Sequence, residues 1–528
     1  MDNKFKNFFK KSEIINANSG FHKFNIDIQK NIKNKKNSNL ILVTSINPTP
    51  TGEGKTTTLI GLNDCMNYFG RKSLACLREP SMGPYFGIKG SATGSGKNSL
   101  LNPDKINSCF TGDFFAIETA NNLIVTILEN LIYFQEDNDI DIETISWKRC
   151  IDINDRSLRE ISYKIKDKNI KAEFTITAAS KLMALFCLSK NKEDFIIKLE
   201  NTIIAKTKND KDIYVKDLKI KDALISIMDD ALNPNIVLSS YKNPVLIHGG
   251  PFANIAHGCN SFIATNVALS KANFVFTEAG FGADLGAEKF INIKCREFNI
   301  KPSLAIITVT VKALKYHGGV KLDDLNTPNL QAIEKGFSNL EKHVESIKSF
   351  NLPFCVVINK FNNDTNQELN LLKKLCLKKQ IDCEISTTWQ NGPSKNLKLV
   401  KLIERNISKN YKINFTYDLK DDSILKMEKV AKIIYGAEGI NLSNKAKAKL
   451  EHYKNQIKDY YICFAKTPFS ISSNPNLLGR PKNFYIDIDD FEINSAVKFL
   501  IPLTSKIFMM PGLSREPNAQ RIKYNAKK

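Results

Sequence analysis

Six short apolar runs, most of them closed by a glycine-rich or polar loop, constrain the fold of this chain more than any other feature. Residues 39–46 lead into PTPTGEGKTTT, 73–77 into REPSMGP, 244–247 into HGGPFANIAHG and 273–276 into TEAGFGADLG. Residues 304–311 and 354–358 are further β-rich runs, the latter leading into NKF. Helical periodicity lies between several of them, for example over 116–131 and 176–188. Strand, loop and helix in alternation predict an α/β fold: a P-loop-containing, doubly wound parallel sheet with smaller additional α/β domains. In such a sheet, ligands bind beyond the carboxyl ends of the strands, where these loops sit.

The most informative loop is Thr49, Pro50, Thr51, Gly52, Glu53, Gly54, Lys55 and Thr56. Leu59, Leu62, Met66 and Phe69 follow on one helical face, with Gly70 as the stop. Two glycines let the backbone approach a phosphate, and the helix N-terminus offers free N–H groups and partial positive charge. Lys55 is placed to reach β- and γ-phosphates, and the Thr56 hydroxyl to help hold Mg²⁺. The eight residues are therefore read as an ATP-binding loop, although Thr49 stands where the usual motif has its first glycine. A right-handed crossover makes the second run parallel to the first. Arg78 and Glu79 then arrive at the same rim as Lys55, an arrangement suited to phosphoryl transfer onto a small anion. Residues 83–96 carry enough glycines to serve as a lid or a pocket lining.

Composition excludes more than it assigns. The net charge of +21 comes from lysines spread along the whole chain rather than gathered in an arginine-rich stripe, so no nucleic-acid partner is expected. No apolar run reaches the ~18 residues of a membrane span, and the basic N-terminus lacks an apolar signal core. Eleven scattered cysteines without a CxxC pair are expected to be thiols in a reducing, cytoplasmic setting. With 528 residues the chain has room for several domains, drawn at 1–345, 346–450 and 451–528.

Taken in order, TSINPTPTGEGKTTTLIGL, REPSMGPYFGIKG, FTGDFFAIETANN, WKRCIDINDRSLR, HGGPFANIAHGCNS, TEAGFGADLGAEKFINIKCR, TVKALKYHGG, IYGAEGI, AKTPFSISSNPNLLGRP and MMPGL resemble one family, formate–tetrahydrofolate ligase. The resemblance spans about residues 20–520. It implies a reaction in which ATP activates formate as formyl phosphate, and tetrahydrofolate takes the formyl group. It also implies a monovalent cation (K⁺ or NH₄⁺) and a homotetramer. By carry-over, Lys55 and Arg78 hold the transferring phosphate, Phe361 and Trp389 stack on the pterin, and Glu79 is placed on the folate side. Asp113 is read as orienting Mg²⁺ or its water, with a helix N-cap as the alternative.

The chain departs from the family pattern at Cys109 and Phe115, where LHFTGDFHA has histidines, at Lys97 for a tyrosine, and at Thr175 for an acid. A slower enzyme is the expectation. Two other readings stay open: a P-loop NTPase of the switch class, and a degenerate ligase. Among the remaining candidates, His248 and His257 are read as loop packing rather than metal ligands, and Trp147 as a packing residue. Asn359-Lys360 resembles the guanine-reading NKxD only in part, since Asn362 replaces its acid. Glu278 and Asp284 are either a polar site wall or loop-stabilising acceptors.

Overall fold

The structure is a computed structural model and describes residues 3–17, 20–28, 35, 37–50, 52–86, 93–134, 139–504 and 507–522. Its centre is a ten-stranded sheet built from β1 (Ile14–Asn16), β2 (His22–Phe24), β3 (Asn39–Ser45), β4 (Ser73–Leu77), β5 (Asn235–Leu238), β6 (Pro244–Ile247), β7 (Phe274–Glu278), β8 (Leu304–Val309), β9 (Phe354–Asn359) and β10 (Cys383–Ser386). The spatial order is β1-β2-β5-β6-β4-β7-β3-β8-β9-β10. From β6 to β10 every pairing is parallel, and the three strands at the other edge are antiparallel. This is a mixed α/β architecture dominated by one parallel sheet. The sheet runs across position 345, with β8 hydrogen-bonded to β9.

Both faces of the sheet are covered, which is why its central strands are continuously apolar instead of alternating. Leu40 and Leu42 of β3 enter one core with Val275, Ala305, Ile307, Val356 and Ile358. Ile41 and Val43 enter the opposite core with Ala75, Leu77, Phe276, Ile306 and Val357. Helix α1 (Lys55–Tyr68) packs into the second core and is buried over all of Thr57–Met66. The one-sided spacing of Leu59, Leu62 and Met66 thus understates its burial. The helices Thr388–Asn391 and Leu397–Asn406 pack against it.

The expected runs return as strands within one to two residues. The first two are parallel as expected but not adjacent: β7 lies between β3 and β4 and bonds to both. The expected helix over 176–188 is shorter. Phe174–Ile176 pairs with Arg149–Ile151 as a strand, and Ser180 caps a helix beginning at Lys181, its hydroxyl accepting from the Met183 N–H. Strand pairing claims the first residues, and a serine cap fixes the start.

Toward the C-terminus lies a four-stranded sheet of β11 (Gly439–Leu442), β12 (Tyr461–Ile462), β13 (Tyr485–Asn494) and β14 (Phe499–Thr504), ordered β11-β13-β14-β12. Its β character begins a dozen residues before the expected position 451. All eleven cysteines are free thiols. No helix of the described residues is long and apolar enough to cross a membrane.

Candidate functional site

The carboxyl ends of β3, β4, β7, β8 and β9 open into one cleft of about 1450 Å³. A pocket for one small ligand occupies roughly 300–1,000 Å³, so this cleft has room for more than one substrate. The glycine-rich loop after β3 forms its floor. Thr49, Pro50, Gly52, Glu53, Gly54, Lys55 and Thr56 all line it, whereas Thr51 lies outside the described residues. Gly54 sits at φ +63°, and a Cβ there would come within 2.7 Å of Asn359 Nδ2. Both the left-handed backbone and the close neighbour require glycine.

Glu53 shows why an acid sits between the two glycines. Its carboxylate accepts from the Thr49 N–H at 2.7 Å and from the Thr310 hydroxyl. Asn359 Nδ2 donates to the Glu53 carbonyl at 3.2 Å. The loop is thus tied to the ends of β8 and β9. Burial pushes the Glu53 carboxyl up, against the pull of these hydrogen bonds. The Asn359-Lys360 pair, which looked like a fragment of a base-reading motif, therefore braces the glycine-rich loop through its asparagine.

Lys55 and Arg78 both line the cleft. Lys55 Nζ donates to Ser45 Oγ at 3.1 Å and to the Phe281 carbonyl. Arg78 Nε donates to Glu278 Oε1 at 3.1 Å, and its Nη1 to the Pro251 carbonyl at 3.2 Å. Glu278 ends the strand that separates the two cations. Its other oxygen accepts from the Thr56 hydroxyl at 2.8 Å. Burial opposes its charge, but Arg78, the Thr56 hydroxyl and Lys55 outweigh burial and hold the Glu278 carboxyl below its usual range. Sequence reasoning left Glu278 undecided. The missing information was strand order, because only a strand inserted between β3 and β4 brings an acid to this point.

Two candidates stand elsewhere. Asp113 opens helix α2 (Asp113–Phe134), fully buried, where it accepts from Lys23 Nζ at 2.6 Å and Asn235 Nδ2 at 2.7 Å. Glu79 is buried beside it, and neither is among the cleft-lining residues. Burial and the Asp113 charge push the Glu79 carboxyl well above its usual range. Asp113 holds Lys23 in its charged form despite the burial.

The aromatic candidates do face the cleft. Phe361 and Trp389 follow β9 and β10 and line it together. Lys312 Nζ lies 5.5 Å from the Phe361 ring centre. Trp389 Nε1 donates to Ser95 Oγ at 3.0 Å, and a Cβ on Gly96 would fall 2.6 Å from that indole. Gly83, Gly94 and Ser95 reach the cleft as well. Residues 87–92 of the same glycine-rich stretch are outside the described residues. Cys109 is exposed, Phe115 is 73% exposed, and neither lines the cleft. His248 bonds Ser261 Oγ and the Ala231 carbonyl within the core, as its packing reading expects. Trp147 is buried, with its indole N–H donating to the Asn121 carbonyl at 3.1 Å.

The opposite wall was not anticipated. Thr467, Pro468, Phe469 and residues 473–476 line the cleft from the C-terminal region, with Pro511, Gly512, Leu513 and Ser514 beyond them. Their Ser-, Asn- and Pro-rich composition is the signal that could have marked them as a loop wall.

The sequence model of the family described as "Formate--tetrahydrofolate ligase" matches residues 9–528. The chain belongs to this family. Proteins named formate–tetrahydrofolate ligase from Malacoplasma penetrans, Ureaplasma parvum and Pelagibacter ubique are similar to it. The first is 54% identical over 499 residues, covering 94% of this chain and 93% of the relative. The second is 46% identical, covering 93% of each. The third is 44% identical, covering 95% of this chain and 91% of the relative. Formate–tetrahydrofolate ligase relatives thus match along nearly their whole length, with both walls of the cleft inside the matched region.

Proposed function

We propose that this chain is an ATP-dependent formate–tetrahydrofolate ligase that makes 10-formyltetrahydrofolate, ADP and phosphate through formyl phosphate. The observation that carries the reading is the convergence of Lys55, Arg78 and Thr56 on a cleft whose side wall holds Phe361 and Trp389, with the buried Glu278 joining Arg78 to Thr56. A formate oxygen attacks the γ-phosphorus as the bond to the ADP oxygen breaks. Lys55 and Arg78 offset the charge on the transferred group, where positioning and electrostatics carry most of the catalysis. The folate amine then attacks the formyl carbon, phosphate leaves with the C–O bonding pair, and the amine loses its proton. Phe361 and Trp389 present faces on which a flat pterin stacks, worth about 0.5–1.5 kcal/mol per aromatic pair beyond area burial.

Thr56 and Glu278 are suited to holding Mg²⁺, as a hydroxyl and a carboxylate kept ionised by its neighbours. When bound there, Mg²⁺ would supply charge neutralisation to the phosphates. A monovalent cation fits Glu79: its Oε2 is buried without a partner among the described residues, and Lys23 already balances Asp113. A cation bound there would let Glu79 ionise beside Asp113, where otherwise it holds its proton. We read the architecture as the doubly wound P-loop type, the location as cytoplasmic and the assembly as a homotetramer.

The test is ADP formation with ATP and Mg²⁺, with and without formate and tetrahydrofolate. Turnover is expected only when both acceptors are present. Hydrolysis at the same rate without them would favour a switch-type NTPase and overturn the ligase reading.

A further inference from the structure

The strand that feeds the phosphate loop runs out at Ser45, and two residues on stands Asn47, fully buried and bonded through every polar group it has. Its N–H donates to His343 Nε2 at 3.0 Å, and its carbonyl accepts from His317 Nε2 at 2.9 Å. Its side-chain oxygen accepts from Asn339 Nδ2 at 3.0 Å. Its side-chain nitrogen donates to the Asp284 carboxylate at 3.3 Å and to the Pro468 carbonyl at 3.2 Å. Asp284 in turn accepts from Lys466 Nζ at 2.8 Å, with both side chains sealed from solvent. The same ammonium donates to the carbonyls of Thr467 and Ser470. His317 Nδ1 accepts from the Gly479 N–H, and Asn339 also donates to the Gly479 carbonyl. Burial drives His343 down to about 3 and His317 to about 4, so both are neutral at working pH. Asp284 and Lys466 are then the charged pair at the heart of the network.

What this network joins gives it a role. On one side is the start of the phosphate loop at Pro48 and Thr49. On the other is the segment 466–479, whose residues Thr467, Pro468, Phe469 and 473–476 form the opposite wall of the cleft. That wall belongs to no strand of the central sheet. Its distance from the loop is therefore set by polar contacts instead of sheet register.

We propose that Asn47, acting with the Asp284–Lys466 ion pair, is a positioning unit that fixes the C-terminal wall against the phosphate loop and thereby sets nucleotide affinity. The inference rests on the nucleotide reading of the cleft. Asparagine suits the position because it donates toward Asp284 and Pro468 while accepting from Asn339. A carboxylate at 47 would instead face the Asp284 carboxylate, with no proton to offer it or the Pro468 carbonyl.

Calorimetric titration of the full chain with Mg²⁺-ATP tests the proposal, with formate KM and Tm measured alongside. Loss of a hydrogen bond to a charged partner is worth about 1.5–3 kcal/mol, so N47D is expected to weaken ATP binding by roughly ten- to hundredfold. Formate KM is expected to stay within about threefold, the span of a change that leaves Arg78 in place. N47D/D284N restores a donor–acceptor pair between positions 47 and 284 and removes the facing carboxylates, but leaves the Pro468 carbonyl without its donor. It should bind ATP severalfold more tightly than N47D while staying weaker than wild type, as coupled neighbours do in a mutant cycle. If N47D does not fold, Asn339→Ala carries the same prediction at about fivefold or more, since neutral bonds to Asn47 and to the Gly479 carbonyl are both lost. Unchanged ATP affinity with a lowered Tm would make the network merely structural and overturn the proposal, as would a double variant no better than N47D. A wild-type chain that binds no ATP would bring down the functional reading itself, and that outcome is seen before any variant is made.

Discussion

Two clusters of buried charge sit close together near the carboxyl end of β4, and they differ in one respect. Arg78 and Glu278 form a pair whose arginine is 21% exposed and opens into the cleft. One residue along the chain, Glu79 turns inward to Asp113 and Lys23, both sealed. The alternation of side chains along an extended segment is enough to send neighbours to opposite sides. An open pair keeps part of its hydration and has capacity left for a ligand. A sealed pair has lost its hydration and must be satisfied internally, so breaking it leaves an uncompensated buried charge. Adjacent residues of one motif thus meet different surroundings, Arg78 the open cleft and Glu79 a sealed cluster.

Four experiments would break or sharpen this contrast. The largest effect is expected at Lys55→Ala, which removes the loop's cation from the open cleft. Turnover should fall by more than about 10³-fold with little change in Tm, and a variant retaining a tenth of the activity would detach the loop from catalysis. Next is Lys23→Met in the sealed cluster. It should cost about 3–5 kcal/mol in denaturant unfolding while the folded fraction keeps its substrate KM values. Near-normal stability would show that the two clusters do not differ as described. Smaller again is Trp389→Ala on the side wall, expected to raise folate KM by about tenfold with ATP KM unchanged. An unaltered folate KM would move the pterin elsewhere.

The smallest effect concerns the turn after Arg78. Asp152 accepts from Ser81 Oγ at 2.8 Å and the Met82 N–H at 2.9 Å. Burial raises its carboxyl to about 6, against the pull of those two bonds. A folded value above the ordinary 3.8 means that the folded chain holds this proton more tightly than the unfolded one. Ionisation therefore costs stability as pH rises through 3.8 to 6, and the full cost remains above that window. The anion that grips the turn is lost as pH falls through about 6. The acid side of the kcat/KM profile should decline there, and Asp152→Asn should flatten that decline. A variant with the wild-type profile would leave the turn without this anchor.

Much of the site was legible because its signals are local. Lys55, Thr56 and Arg78 follow strand runs, and a residue after a strand end reaches the rim wherever that strand lies in the sheet; Phe361 and Trp389 were reached through the family's motifs. Glu278 was legible as a strand end but not as a bridge, because its partners depend on β7 lying between β3 and β4. Asp113 and Glu79 carried the same acidic chemistry as Glu278, and nothing in their spacing tells a buried carboxylate paired with a cleft-lining cation from one paired with a sealed cation. The wall at 467–476 lies more than four hundred residues from the phosphate loop, with no periodicity linking the two.

The α/β class, the glycine-rich loop and the family were all legible in the amino-acid sequence, because apolar runs, glycine loops and family motifs are written in consecutive residues. Which charges face the cleft, which are sealed and which distant wall closes it were settled only by folding. Those outcomes depend on strand order and desolvation, and both arise from residues brought together by folding.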